Sequence, residues 1–196
     1  MRKFFWIVGI AVGLVVDSAQ ANIIGATLDD DGDGAVTCTT TWDAGTSTLT
    51  ATCKQYWSPG HMLGTVTTDT ELDPTLWVIN SIENDTGASW IGYQLNITMN
   101  KSFSIVGVVS PPDWTWAITQ PTQSGSQWTG TLDYFSGTAV GISDAGYFGY
   151  VVSFLGSVNF AQEMIPQLIP EPASMAVLLL GAAALLGRCI RRPQDR

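Results

Sequence analysis

The nine residues Ile91-Gly92-Tyr93-Gln94-Leu95-Asn96-Ile97-Thr98-Met99 alternate in character without a break. Successive side chains of a strand point to opposite faces, so Ile91, Tyr93, Leu95, Ile97 and Met99 share one face and the polar residues and Gly92 share the other. A helical period scatters the same five residues around a cylinder, so the segment is a half-buried strand. Leu76–Ile82, Phe103–Val109, Trp114–Thr119, Gln127–Phe135 and Tyr147–Leu155 are rich in β-branched and aromatic residues and also predict strands, with Leu63–Thr68 a weaker one. Turn chemistry separates them at Ser58-Pro59-Gly60, Asn84-Asp85-Thr86-Gly87, Lys101-Ser102, Pro111-Pro112-Asp113, Ser124-Gly125-Ser126 and Ser143-Asp144-Ala145-Gly146. Short strands at about ten-residue spacing give an all-β protein, a sandwich or a barrel. We favour an antiparallel β-sandwich, jelly-roll or immunoglobulin-like.

The two ends read differently. Arg2 and Lys3 precede an apolar run, Phe4–Val16, and Ala19-Gln20-Ala21 forms a small-x-small cleavage site. This is a secretory signal peptide over 1–21, with an uncleaved anchor as the competing reading. At the other end, Pro170-Glu171-Pro172 precedes the uncharged apolar run Ala173–Gly187, and Arg188, Arg191, Arg192 and Arg196 follow. A spanning helix needs about 20 apolar residues; arginines that snorkel to the interface extend this shorter run to a single transmembrane helix. The positive-inside tendency places Arg188, Arg191 and Arg192 in the cytoplasm and the body across the membrane. A buried core helix and an ordinary tail anchor are the competing readings. The chain thus divides into the signal peptide, a sandwich body over 22–158, a linker over 159–169 and a tail over 170–196.

The tail resembles the PEP-CTERM sorting signal, the tag of exosortase substrates in Gram-negative bacteria. The resemblance rests on Pro170, Glu171 and Pro172, the apolar run Ala173–Gly187 and the arginines from Arg188 onward. It implies a transient stay in the inner membrane, with an exosortase as partner and processing at or near the Pro-Glu-Pro. It also implies a final place at the cell surface or in an extracellular polysaccharide matrix such as a biofilm. The passage Val78–Tyr93, in which an Asn84–Gly87 turn is followed by Trp90, resembles a segment found in bodies of such proteins. It reads as a hairpin with Trp90 capping the core.

Between the signal peptide and the tail lie fourteen acidic residues and two basic ones, Lys54 and Lys101, a net charge of −12. Such a surface repels phosphate backbones, so nucleic acid is not a partner. It favours solubility and divalent cations. Cys38 and Cys53 lie in this body, and an oxidising compartment permits them to pair. Val36 and Cys38 share a face, as do Leu49, Ala51 and Cys53, with turn chemistry at Asp43-Ala44-Gly45 between them. We expect a hairpin stapled by Cys38–Cys53; closing a loop of this size is worth about 3 kcal/mol in the chain-entropy model. Zinc is the alternative use of these cysteines, but His61, the single histidine, lacks the paired ligand spacing of zinc sites.

Two motifs point to ligands. Asp29, Asp31, Asp33 and Gly34 fit Asp-x-Asp-x-Asp-Gly, the opening of a calcium loop. Thr40 stands where such a loop carries its bidentate Glu, so the expected calcium site is weak; a solvated acidic turn is the plainer reading. No other cofactor is expected. Trp114 and Trp116, spaced for one strand face, and Trp128 offer rings that could stack on sugars, although aromatic stripes at strand spacing most often pack the core. Catalysis is not expected: no nucleophile elbow, phosphate loop or His-Glu-x-x-His is present, and no constellation of nucleophile, base and orienting group is visible. The expectation is an exported surface or matrix protein with a structural or adhesive role. An extracellular carbohydrate-binding module is the alternative.

Overall fold

The computed structural model describes residues 21–169. Residues 1–20 of the expected signal peptide, Pro170-Glu171-Pro172, the apolar run and the arginines lie outside the described residues. Among the described residues there are eleven strands: β1 (Ile23–Asp30), β2 (Val36–Asp43), β3 (Thr48–Gln55), β4 (Gly60–Thr68), β5 (Thr75–Asn84), β6 (Trp90–Met99), β7 (Phe103–Val109), β8 (Thr115–Ser124), β9 (Gln127–Val140), β10 (Ala145–Phe154) and β11 (Val158–Leu168). They form a six-stranded sheet in the order β1-β4-β11-β6-β9-β8 and a five-stranded sheet in the order β2-β3-β5-β10-β7. No helix among these residues is long and apolar enough to cross a membrane.

The alternation that marks β6 is the principle of the core. Tyr93, Leu95, Ile97 and Met99 are buried, and Gln94, Asn96 and Thr98 alternate with them on the wetter face; Ile91, expected with the buried set, is exposed, because the register with β9 slips between Trp90 and Gly92. Inward residues of the two sheets meet as in a β-sandwich. Tyr93 of β6 stacks on Phe148 of β10, with ring centroids 4.3 Å apart and planes 6° from parallel. Tyr134 and Trp114 approach the same phenylalanine edge-on, at 5.1 and 5.5 Å. Offset and edge-on contacts suit the ring quadrupoles, so one phenylalanine knits several strands together.

Cys38 and Cys53 face each other in the β2–β3 register and are joined by a disulfide, as expected. The turn of this hairpin is closed by Asp43, whose Oδ1 accepts from the Gly45 amide at 2.9 Å and whose Oδ2 accepts from the Thr46 hydroxyl at 2.8 Å.

Three expectations are corrected. The five-stranded sheet is mixed, because β3 and β5 run parallel. Asn84–Gly87 does not close a hairpin: β5 and β6 belong to different sheets, so the turn carries the chain from one layer to the other. The Asn84 amide anchors it by donating to the carbonyls of Ala88, Val140 and Gly141. Trp90 does seal the core beside this turn, fully buried, with its indole N–H on the Thr86 hydroxyl at 2.9 Å.

The third correction is the linker over 159–169. Most of it is β11, which lies between β4 and β6 within the six-stranded sheet. Two residues hide its alternation. Gln162 occupies an inward position, where it exchanges amide hydrogen bonds with Asn80 of the opposite sheet at 3.1 and 3.3 Å. Pro166 would be misplaced inside a ladder, but pairing with β4 ends at Met164, so Pro166 has only β6 beside it.

Candidate functional site

Beyond β1 the chain turns through Asp31–Ala35, with Gly32 and Gly34 at φ of 79° and 81°. Those angles are open to glycine and strained for other residues, which is why the acidic run is broken at these two points. Three aspartates of the run each brace the turn two residues on. Asp30 Oδ1 accepts from the Gly32 amide, Asp31 Oδ1 from Asp33 and Asp33 Oδ1 from Ala35, at 3.2, 3.2 and 2.7 Å. The second oxygens of Asp31 and Asp33 are turned toward β4.

There they meet His61. Nδ1 of its ring lies 3.7 Å from Asp31 Oδ2 and 3.8 Å from Asp33 Oδ2. One donor atom from each of the three residues falls within 4.8 Å of the other two. The opposite ring nitrogen, Nε2, lies 3.5 Å from Glu163 Oε1 on β11. Sheet register explains the meeting: Asp30 is opposite Met62 in the β1–β4 ladder, and His61 is opposite Glu163 in the β4–β11 ladder.

A polar row continues from Glu163 across the sheet. Asn96 of β6 donates through Nδ2 to Glu163 Oε2 at 2.7 Å, and the Thr131 hydroxyl of β9 donates to Asn96 Oδ1 at 2.9 Å. Gln94 to Asp133 and the Thr98–Thr129 hydroxyl pair form parallel rows, at 2.6 and 3.1 Å. Asn96, Thr98, Thr129 and Leu63 border an open groove of about 520 Å³ that includes Asp31, His61 and Glu163. The groove is lined by hydroxyls, amides and carboxylates over an apolar floor.

The expected ligand residues are redistributed. Asp31 and Asp33 come together, but Asp29 stands apart on the exposed face of β1, opposite Leu63 of β4. The partner they gain is His61, which carries no short spacing to them in the chain. Calcium takes six to eight oxygens, and an imidazole in the set does not suit it. Trp114 lies against Phe148 in the core, its indole N–H donated to the Thr138 carbonyl at 3.0 Å. Trp128 is half-buried against the core, and of the three only Trp116 is exposed. The three rings therefore do not form one sugar-stacking platform.

Comparison with protein-family models, with curated proteins and with solved structures gives no match.

Proposed function

We propose that this chain is an exported, non-catalytic protein of the bacterial surface or extracellular matrix, delivered by its N-terminal signal and sorted by an exosortase. The observation that carries the reading is the ordered tail: Pro170-Glu171-Pro172, an uncharged apolar run, then Arg188, Arg191 and Arg192. Proline fixes φ and lacks a backbone N–H, so a Pro-Glu-Pro sequence disfavours regular secondary structure. The body supports the reading in three ways. A Cys38–Cys53 disulfide suits an oxidising compartment. The surface of the body is acidic and rich in hydroxyls, which suits a soluble exported domain. β11 ends at Leu168, so the sorting motif follows the sheet almost directly in sequence. A two-sheet body of this kind serves as a rigid adhesive unit, with matrix polysaccharide as its proposed partner.

Intact-mass measurement of the exported protein, from cells with and without the host exosortase, tests this. The expected result is loss of the tail from near Glu171 only when the enzyme is present. A mature chain that still carries Arg191 and Arg192 in exosortase-positive cells overturns the reading.

A further inference from the structure

We propose that Asp31, Asp33 and His61 bind a divalent transition-metal ion of the zinc class, with Glu163 holding the imidazole in place from its far side. The site is independent of the sorting proposal. It differs from the calcium loop expected from Asp29, Asp31 and Asp33 in both ligands and metal.

Geometry is the first argument. The two carboxylate oxygens stand 3.7 and 3.8 Å from Nδ1. Those separations are too long for hydrogen bonds to the ring. Ligands bound tetrahedrally at zinc distances of about 2.0–2.2 Å lie roughly 3.3–3.6 Å from one another. The two carboxylate–imidazole separations therefore lie within a few tenths of an ångström of those values, and the two carboxylate oxygens are within 4.8 Å of each other. Both aspartates already commit Oδ1 to backbone amides, which leaves Oδ2 as the ligand atom.

The second argument is the far side of the ring. A ligating histidine characteristically gives its other N–H to a carboxylate, which fixes the tautomer and raises the basicity of the ligand nitrogen. Glu163 Oε1 faces that nitrogen at 3.5 Å, a few tenths of an ångström beyond a hydrogen bond. Its other oxygen is held by Asn96, which Thr131 holds in turn, so the orienting carboxylate is anchored through two further strands.

Charge and ligand type choose the metal. Lys54 pairs with Glu83 and Asp85, and Lys101 with Glu71, so neither lysine of the described residues neutralises this cluster. Two carboxylates and an imidazole form a mixed oxygen and nitrogen set, which suits zinc and its neighbours rather than calcium or magnesium. Three protein ligands leave at least one coordination position for water or an anionic group from the groove.

The chain holds a single histidine, so its ring resonances report on this site alone. The full chain, in detergent and without a histidine tag, is titrated with zinc and separately with calcium. Its imidazole signals are followed by NMR and its stoichiometry by calorimetry. The expected result is one zinc per chain, a saturating shift of the ring signals, and no such shift with calcium at equal concentration. His61→Ala and Asp33→Asn should each weaken zinc at least tenfold, Glu163→Gln about tenfold, and Asp29→Asn less than twofold. Thermal melts of each variant confirm that the fold is kept. Ring signals unmoved by millimolar zinc, or zinc affinity equal in wild type and His61→Ala, would overturn the proposal. Calcium binding that depends on Asp29 would overturn it in favour of the simple acidic loop.

Discussion

Tyr150 is fully buried, and its hydroxyl has no hydrogen-bond partner. Two neighbours in kind are satisfied: Tyr134 donates to the Gly149 carbonyl at 2.7 Å and Tyr93 to Gln55 Oε1 at 2.6 Å. Burial pushes all three phenols above the ordinary tyrosine range, so each stays neutral and acts only as donor or acceptor. A buried hydroxyl without a partner costs its desolvation, whereas a satisfied one contributes about 1 kcal/mol net. Tyr150→Phe should therefore leave stability unchanged or raise it by about 1 kcal/mol, and Tyr134→Phe should lower it by a similar amount. Urea unfolding of the two variants checks the contrast, and equal losses in both would refute it. The candidate site also turns on single residues. Asp31 and Asp33 are legible in the chain because Asp-x-Asp spacing is local. His61 is not, because thirty residues of chain and one strand pairing bring it there.

At the scale of the element, β6 and β7 were readable almost to the residue, because every inward position of β6 is apolar and Phe103 and Ile105 do the same for β7. β11 was not. Its inward amide, Gln162, looks like a surface residue until Asn80, 82 positions away, supplies the partner that makes burial tolerable. β11 is also indispensable where it lies. Removing it parts β4 from β6, strips both of ladder hydrogen bonds and deletes Phe160 and Met164 from the core. We expect a chain stopped at Val158 to be protease-sensitive and without the cooperative melt of one stopped at Ile169. Circular dichroism and limited proteolysis compare the two; similar melts would show that β11 is dispensable. The disulfide is the opposite case: a local pattern of alternation and turn foretold it, because its two strands are neighbours in sequence.

For the whole molecule, acidity is the dominant electrostatic fact, and several carboxylates are tied into the fold. Asp43 is held below the ordinary carboxylate range by the Thr46 hydroxyl and the Gly45 amide. The side chain and backbone amide of Asn22 do the same for Asp69, and Thr138 does so for Asp113. In each case the folded value lies below the unfolded one. The stabilisation is therefore complete above about pH 4, the unfolded carboxylate value, and is lost as pH falls through the folded values. Asp69 holds Asn22 at the start of β1 through both oxygens, at 2.9 and 2.8 Å. Melting temperature should thus fall between about pH 4 and pH 2, and Asp69→Asn should fall less steeply than wild type. Thermal melts over that range decide it; parallel slopes would remove Asp69 from the account.

The chain by itself determined that this is a β protein, where most of its turns lie, that Cys38 meets Cys53 and that the surface is acidic. Those properties follow from alternation, turn chemistry and composition, which act over a few residues. Only the tertiary structure decided which sheet each strand joins, that β3 runs parallel to β5, that the presumed linker is a strand of the sheet, and that Trp114 is core while Trp116 is rim. It also decided that His61 faces Asp31, Asp33 and Glu163. The reason is that period-two patterning says which face a residue takes but not which strand lies beside it. Closing a longer loop costs little more than closing a short one, so the choice among partners falls to packing of the whole core.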